Sequence, residues 1–352
     1  MTLRATFTAL LAAIALIAAA CASGPSAAPP SEVVLMTHDS FAISDDVLAA
    51  FEDETGVPIT ILEAGDAGSM LNQAILTKDA PVADVLYGVD NTFLGRALSE
   101  DLFLPYSPAA LADVDPDLVP TDVDPEGHVV PIDYGDVCVN YDEDAFDGDL
   151  PPPASLTDLT DPAYRDMLVV EDPATSSPGL AFLLATVATF PEDSATPWTD
   201  YWQALVANGV EVVPGWEQAY YGRFSGGSGE GDRPLVVSYA SSPVAEVYFS
   251  GLDHAPTGVV TDGCFRQIEY AGILAGTDRL EIARKLIDFM MSRRFQEDIP
   301  LNMFVYPANT QARLPDVFIE FSQIPDRPAT VAPDVIDANR ERWIETWTRI
   351  VR

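Results

Sequence analysis

Residues 32–98 decide the fold. They run Glu32-Val33-Val34-Leu35-Met36, the turn Thr37-His38-Asp39-Ser40, residues 47–54, Val57-Pro58-Ile59-Thr60-Ile61-Leu62, residues 69–77, Val82-Ala83-Asp84-Val85-Leu86-Tyr87-Gly88, and residues 91–98. The short apolar runs at 32–36, 57–62 and 82–88 have the length and β-branched content of buried strands, and the segments between them space their apolar residues as helices do. Pro58 stands near the start of its run, where a missing N–H is tolerated. Thr55-Gly56 ends the first helix, and Ser69 offers an N-cap to the second. Strand and helix therefore alternate three times, which predicts an α/β domain with a largely parallel sheet. The polar loops follow the C-terminal ends of strands, the edge at which open α/β sheets bind ligands.

The alternation continues. Residues 129–133 and 137–140 read as extended, 167–170 as a strand, and 199–208 as a helix, with strands at 210–213 and 235–239. A helix running to Thr189 is predicted with Ser177 as N-cap and Pro178 as first helical residue. Ser242-Pro243 caps a helix over 243–250. Gly226–231 (GGSGEG) is a flexible surface loop, without the lysine or the strand-to-helix context of a phosphate loop. The chain is extended again from Arg266. An amphipathic helix is predicted over 280–295 from Ile282, Leu286, Phe289 and Met290, and a last helix over 333–351 carries Trp343 and Trp347 as packing residues.

The N-terminus has the plan of a secretory signal: Arg4, the apolar residues 10–17, and Ala18-Ala19-Ala20 directly before Cys21. Residues 1–20 are thus expected to be a signal peptide and Cys21 the lipidated first residue. Residues 21–31 form a proline-rich tether, so the membrane is reached through lipid alone. No other apolar run is long enough to span a bilayer.

Acidic residues number 55 against 18 basic ones, a formal net charge of −37. Such a surface repels nucleic acid and anionic lipid; most of these carboxylates serve to keep an exported protein soluble, and charge by itself only tilts the ligand towards a cation. Cys138 and Cys264 are either a disulfide pair or two buried thiols. His38, His128 and His254 lie far apart in sequence, with no CxxC or HExxH nearby, so neither a metal site nor a cofactor is expected.

Thr37–41, Gly88–91 and Pro131–135 each place an aspartate (Asp39, Asp90, Asp133) beside small or aromatic neighbours such as Tyr134. Residues 172–179 precede a helix N-terminus, which offers free N–H groups to an oxygen or anion. Trp216, Tyr220, Tyr239, Phe304 and Tyr306 read as loop aromatics beside acids. Aromatic faces with a nearby carboxylate suit a flat organic cation.

The blocks HDSFA (38–42), GVDNT (88–92), PIDYG (131–135), DPATSSPGL (172–180), PGWEQAY (214–220), VSYASSP (237–243) and IPLNMFVYP (299–307) resemble, in order and over nearly the whole chain, those of the thiamine-binding proteins of ABC importers. The resemblance implies an α/β, two-lobed periplasmic-binding-protein-like fold of type II. Each lobe would be a mixed β-sheet flanked by helices, joined by a two-strand hinge. Lobe 1 would comprise 32–135 and 266–352, and lobe 2 residues 136–265, with the ligand between them. Trp216 and Tyr239 would flank the rings of thiamine or a thiamine phosphate. Asp39 would accept from the aminopyrimidine, and Ser69, Thr175, Ser176 and Ser177 would face the hydroxyethyl or phosphate end. Three aromatic positions of the family differ: His38 stands for a tyrosine, Phe304 for a tryptophan and Ala245 for a tyrosine. Tyr220, Tyr221 and Tyr306 are the candidates to compensate.

By the same resemblance 133–140 and 263–269 are the hinge crossings, which brings Cys138 and Cys264 close enough to bridge. Expected partners are the ligand, an ABC permease and its ATPase, for an extracytoplasmic, membrane-anchored monomer. The rivals are a binder of a polyamine or ferric ion, and a thiaminase-like enzyme using Cys138 with Glu269 or Asp136 as base.

Overall fold

A computed structural model describes residues 31–352 apart from 147 and 149. The signal, the Cys21 lipidation site and the tether up to Pro30 lie outside the described residues. Among the described residues no helix is long and apolar enough to cross a membrane.

The predicted alternation holds through β1 (Val33–Thr37), α1 (Asp45–Thr55), β2 (Ile59–Glu63), α2 (Ala67–Leu76), β3 (Val85–Asp90) and α3 (Leu94–Ser99). It is followed by β4 (Phe103–Leu104), β5 (Val129–Asp142), β6 (Leu168–Glu171), α4 (Ser177–Thr189), α5 (Trp198–Ala207), β7 (Glu211–Val213), α6 (Trp216–Tyr220), β8 (Leu235–Tyr239) and α7 (Ser242–Ser250). The chain closes with β9 (Thr257–Leu274), α8 (Leu280–Met290), α9 (Arg293–Asn302), β10 (Tyr306–Pro307), α10 (Asp316–Phe321) and α11 (Pro333–Val351).

The ten strands form one sheet in the order β2-β1-β3-β9-β5-β8-β6-β7, with β10 on β5 and β4 on β9. Pairing is parallel at β1–β2, β1–β3, β6–β7 and β6–β8. It is antiparallel wherever β5 or β9 takes part. The largely parallel sheet is therefore corrected to a mixed one. Each parallel wing keeps its β-α-β crossovers, and the two wings are joined through the long antiparallel pair β5–β9. This is the predicted two-lobed α/β fold. Gly135↔Gln267 and Asp136↔Arg266, where the lobe boundaries were expected, are successive rungs of that pair.

Four local readings change. Asp66, not Ser69, caps α2: its side chain accepts from Ala67 N at 2.6 Å, and Ser69 falls in the first turn. The caps of α4 and α7 are Ser176 and Ser241, one residue earlier than expected, so Pro178 and Pro243 follow the first helical residue. The helix expected over 280–295 stops at Met290, because Ser292 caps a new helix by accepting from Phe295 N. Residues 216–220, read as a loop, form the one-turn helix α6, and Tyr220 is buried.

Trp343 and Trp347 are buried in the core as expected; Trp347 packs edge-on to Trp202 of α5. Cys138 on β5 and Cys264 on β9 form the expected disulfide, with Cα atoms 4.4 Å apart. That sulfur has no thiolate to offer, which removes Cys138 as a nucleophile.

Candidate functional site

A cavity of about 530 Å³ lies at the C-terminal ends of β1, β6 and β8. Its size falls among sites for small organic molecules. One side is aromatic. The Trp216 ring stacks on Tyr220 at 5.0 Å and 18°, and meets the Tyr221 ring edge-on at 5.4 Å. Trp216 Nε1 donates to Ser238 Oγ at 2.9 Å, and this hydroxyl is also paired with Ser242 Oγ at 2.8 Å. The indole is thus fixed in plane as well as in position. Tyr239 completes this side, its hydroxyl donating to Gln267 Oε1 at 3.1 Å.

Behind the aromatic side stands Glu246 on α7, buried, accepting from Tyr220 Oη at 2.8 Å and Ser228 Oγ at 2.9 Å. Ser228 belongs to the glycine-rich loop read as a free surface loop. The loop in fact pins to the cavity wall. Gly227 (φ 57°) has no space for a Cβ, which would overlap the Glu246 carboxyl, so glycine is needed for the close approach.

The floor is a buried chain of titratable groups. His38, 8% exposed, has Nε2 3.5 Å from Glu269 Oε2. Glu269 accepts from Tyr87 Oη at 2.9 Å and from Gln267 Nε2 at 3.0 Å, and Tyr87 Oη also hydrogen-bonds Asp133. Burial would lower the His38 pKa, but Glu269, Asp66 and Asp133 outweigh it and raise it to about 9. Burial likewise works to raise Glu269, yet His38, Tyr87 and Gln267 hold it below the ordinary carboxylate value. Asp133 is pushed well up, by burial first and then by the charge on Glu269. One phenol proton cannot serve two acceptors at once, so Asp133 and Glu269 compete for the Tyr87 hydroxyl.

Asp66 joins the two wings. Its carboxylate accepts from Ala67 N at 2.6 Å, Ser177 N at 3.3 Å and Trp216 N at 3.1 Å. The first N–H groups of α2, α4 and α6 thus converge on a single side chain. Phe304 closes the rim in a left-handed conformation (φ 54°) that aromatic residues rarely adopt. Its carbonyl accepts from Ser241 Oγ at 2.6 Å, a contact made from just ahead of α7.

Of the residues expected in the site, His38, Asp39, Ser177, Trp216, Tyr220, Tyr239 and Phe304 line the cavity. The others lie behind or beside it. Asp133 belongs to the floor network. Asp90 is buried and accepts from Thr92 N at 2.8 Å, Thr92 Oγ1 at 2.7 Å and Ser177 Oγ; burial raises its pKa to about 6. Tyr134 stacks on Tyr306 at 5.2 Å, with the Arg266 guanidinium over its ring. Thr175 Oγ1 donates to Pro214 O at 2.6 Å, Ser176 is fully buried, and Ser69 sits half-buried in α2. Of the aromatics proposed to compensate for the family differences, Tyr220 and Tyr221 line the cavity and Tyr306 does not.

Sequence reasoning missed Asp66, Glu217, Glu246 and Phe249. Phe249 follows Ala245 by one helical turn on α7, so it faces the same rim and meets Phe304 at 5.4 Å. Helical spacing from Ala245 could have found it; Glu246 carried no local signal. Five carboxylates line the cavity (Asp39, Asp66, Glu217, Glu246, Glu269), against one imidazole. No lysine or arginine among the described residues lines it.

Residues 80–320 match the model of the family described as bacterial extracellular solute-binding protein. The thiamine-binding periplasmic protein of Escherichia coli K12 is 31% identical over 326 residues, covering 91% of this chain and 93% of that one. The corresponding protein of Brucella abortus is 27% identical over 92% of this chain and 93% of its own. The solved structure of a periplasmic thiamin binding protein superposes with a TM-score of 0.79 at 30% identity, covering 94% of this chain and 99% of that one. With this match in sequence and in fold, the chain belongs to the bacterial extracellular solute-binding protein family.

Proposed function

We propose that this protein captures thiamine outside the cytoplasm and delivers it to the permease of an ABC importer, tethered to the membrane through lipid on Cys21. The observation that carries the reading is the cavity's composition: fixed aromatic faces (Trp216, Tyr220, Tyr239) beside several carboxylates, with no lysine or arginine among the described residues lining it. A thiazolium ring is flat, apolar on its faces and permanently positive, which is what such a wall stabilises. Relatives named as thiamine-binding, similar along nearly the full chain, support the same ligand. A polyamine has no ring to place on Trp216. A ferric ion needs several hard donors at one point, and among the described residues no group of three or more His, Cys, Asp or Glu is placed to hold a metal.

Asp66 bears on the form of the ligand. The helix N-termini that would receive a phosphate already donate to its carboxylate. A phosphate there would meet a neighbouring negative charge without a lysine or arginine to offset it. The arrangement favours unphosphorylated thiamine. Calorimetry with thiamine, its mono- and diphosphate and spermidine tests this. Thiamine is expected to bind tightest, each phosphate weakening binding by about tenfold, and spermidine to give no heat. Silence for every thiamine form overturns the reading.

A further inference from the structure

His38 is a base placed among acids in a cavity suited to a cation, and its surroundings are specific. Its Cδ2 atom would overlap a Cβ on Gly88, so the imidazole occupies space that only glycine at 88 (φ 102°) leaves open. The titratable groups that face it are acidic or phenolic: Glu269 on β9, Asp133 on β5, Tyr87 on β3 with its ring 5.7 Å away, Asp66 ahead of α2, Asp39 alongside, and Glu217 on α6. Nε2 is buried and makes no hydrogen bond; the Glu269 carboxylate 3.5 Å away holds it by charge.

Glu269 itself lines the cavity, so a ligand's positive charge and the imidazolium compete for one carboxylate. Two positive charges so close in a poorly solvated space repel, and only one of them can shed its charge. A quaternary thiazolium nitrogen has no proton to lose. We propose that His38 is the protein's own stand-in cation: it neutralises Glu269 before the ligand enters, and it surrenders its proton to solvent as the ligand's charge takes over that role. Capture is therefore coupled to the release of one proton. His38 also disfavours ligands whose charge does not reach Glu269, since these leave the imidazolium in place.

This rests on the ligand being a permanent cation. The direction of the pH dependence follows from release. With the imidazole protonated up to about pH 9 in the ligand-free protein, affinity for thiamine rises with pH. The rise approaches tenfold per unit below pH 9.

The test is calorimetry of thiamine binding at pH 8 in buffers of different ionisation enthalpy, which counts protons exchanged, with dissociation constants measured from pH 6 to 8.5, where the thiazolium ring stays closed. The wild type is expected to release between about half a proton and one proton per thiamine. His38→Gln and His38→Tyr, whatever their affinities, are expected to release none and to lose the pH slope. Tight binding with no proton released, or release that persists in both variants, overturns the role of His38 and leaves the thiamine reading standing. Absence of thiamine binding by the wild type at every pH overturns both.

Discussion

The two sides of the cavity are built on different physics. The aromatic wall from α6, β8 and α7 holds Trp216 and Tyr239 by hydrogen bonds to the neutral Ser238 and Gln267, and Tyr220 by stacking on Trp216 and a hydrogen bond to Glu246. The floor from β1, β3, β5 and β9 holds His38, Tyr87, Asp133 and Glu269, where each group's charge depends on the next. The wall supplies mainly shape and contact area. The floor supplies charge that is set by proton occupancy. A flat cation needs both, and the division teaches that affinity and pH response can be altered separately.

Two substitutions can break that division, and a third tests whether the rest of the fold sets it. Trp216→Ala removes the stacking face and the indole anchor together, so thiamine affinity should fall about 100-fold with the proton count unchanged. Calorimetry at pH 8 measures both, and a loss under tenfold would show that the wall is not the main holder. Glu246→Gln keeps an acceptor for Tyr220 and Ser228 but deletes a buried charge behind the wall. Affinity should drop roughly tenfold, whereas no drop would confine the electrostatics to the floor.

The third test acts on neither side. Cys138→Ser or Cys264→Ser opens the link between β5 and β9, the two strands that serve both wings. A bridge across a sequence separation of 126 residues restricts the unfolded chain. Its loss should lower stability by about 2–5 kcal/mol and the melting temperature by several degrees. Thiamine affinity should change by less than about threefold. A larger change would mean that the link sets the geometry of the cavity and not only the stability of the chain.

The wall was largely legible in the sequence. Trp216 and Tyr239 stand in blocks whose Gly, Pro and Ser neighbours mark turns at strand ends, and these residue types at these places are recognisable locally. The floor was only half legible. His38 and Asp133 both read as ligand contacts in the sequence, yet Asp133 lies behind Tyr87 and shares its hydroxyl with Glu269, from a strand 136 positions further along. Asp66 was missed because its partners, Ser177 and Trp216, are brought to it only when the two wings meet. Apolar spacing runs on through Phe295 and does not register the cap at Ser292, so it extends the helix from 280 past its end at Met290.

By itself the sequence determined the alternation of strands and helices and the aromatic blocks, because periodicity, turn chemistry and composition act over a few residues. Only the tertiary structure decided that β5 and β9 run antiparallel through both wings, that Asp66 holds three helix N-termini, and that His38 faces Glu269. Those outcomes depend on which distant residues share a poorly solvated space, where a charge or a hydrogen bond is strong enough to fix its neighbours.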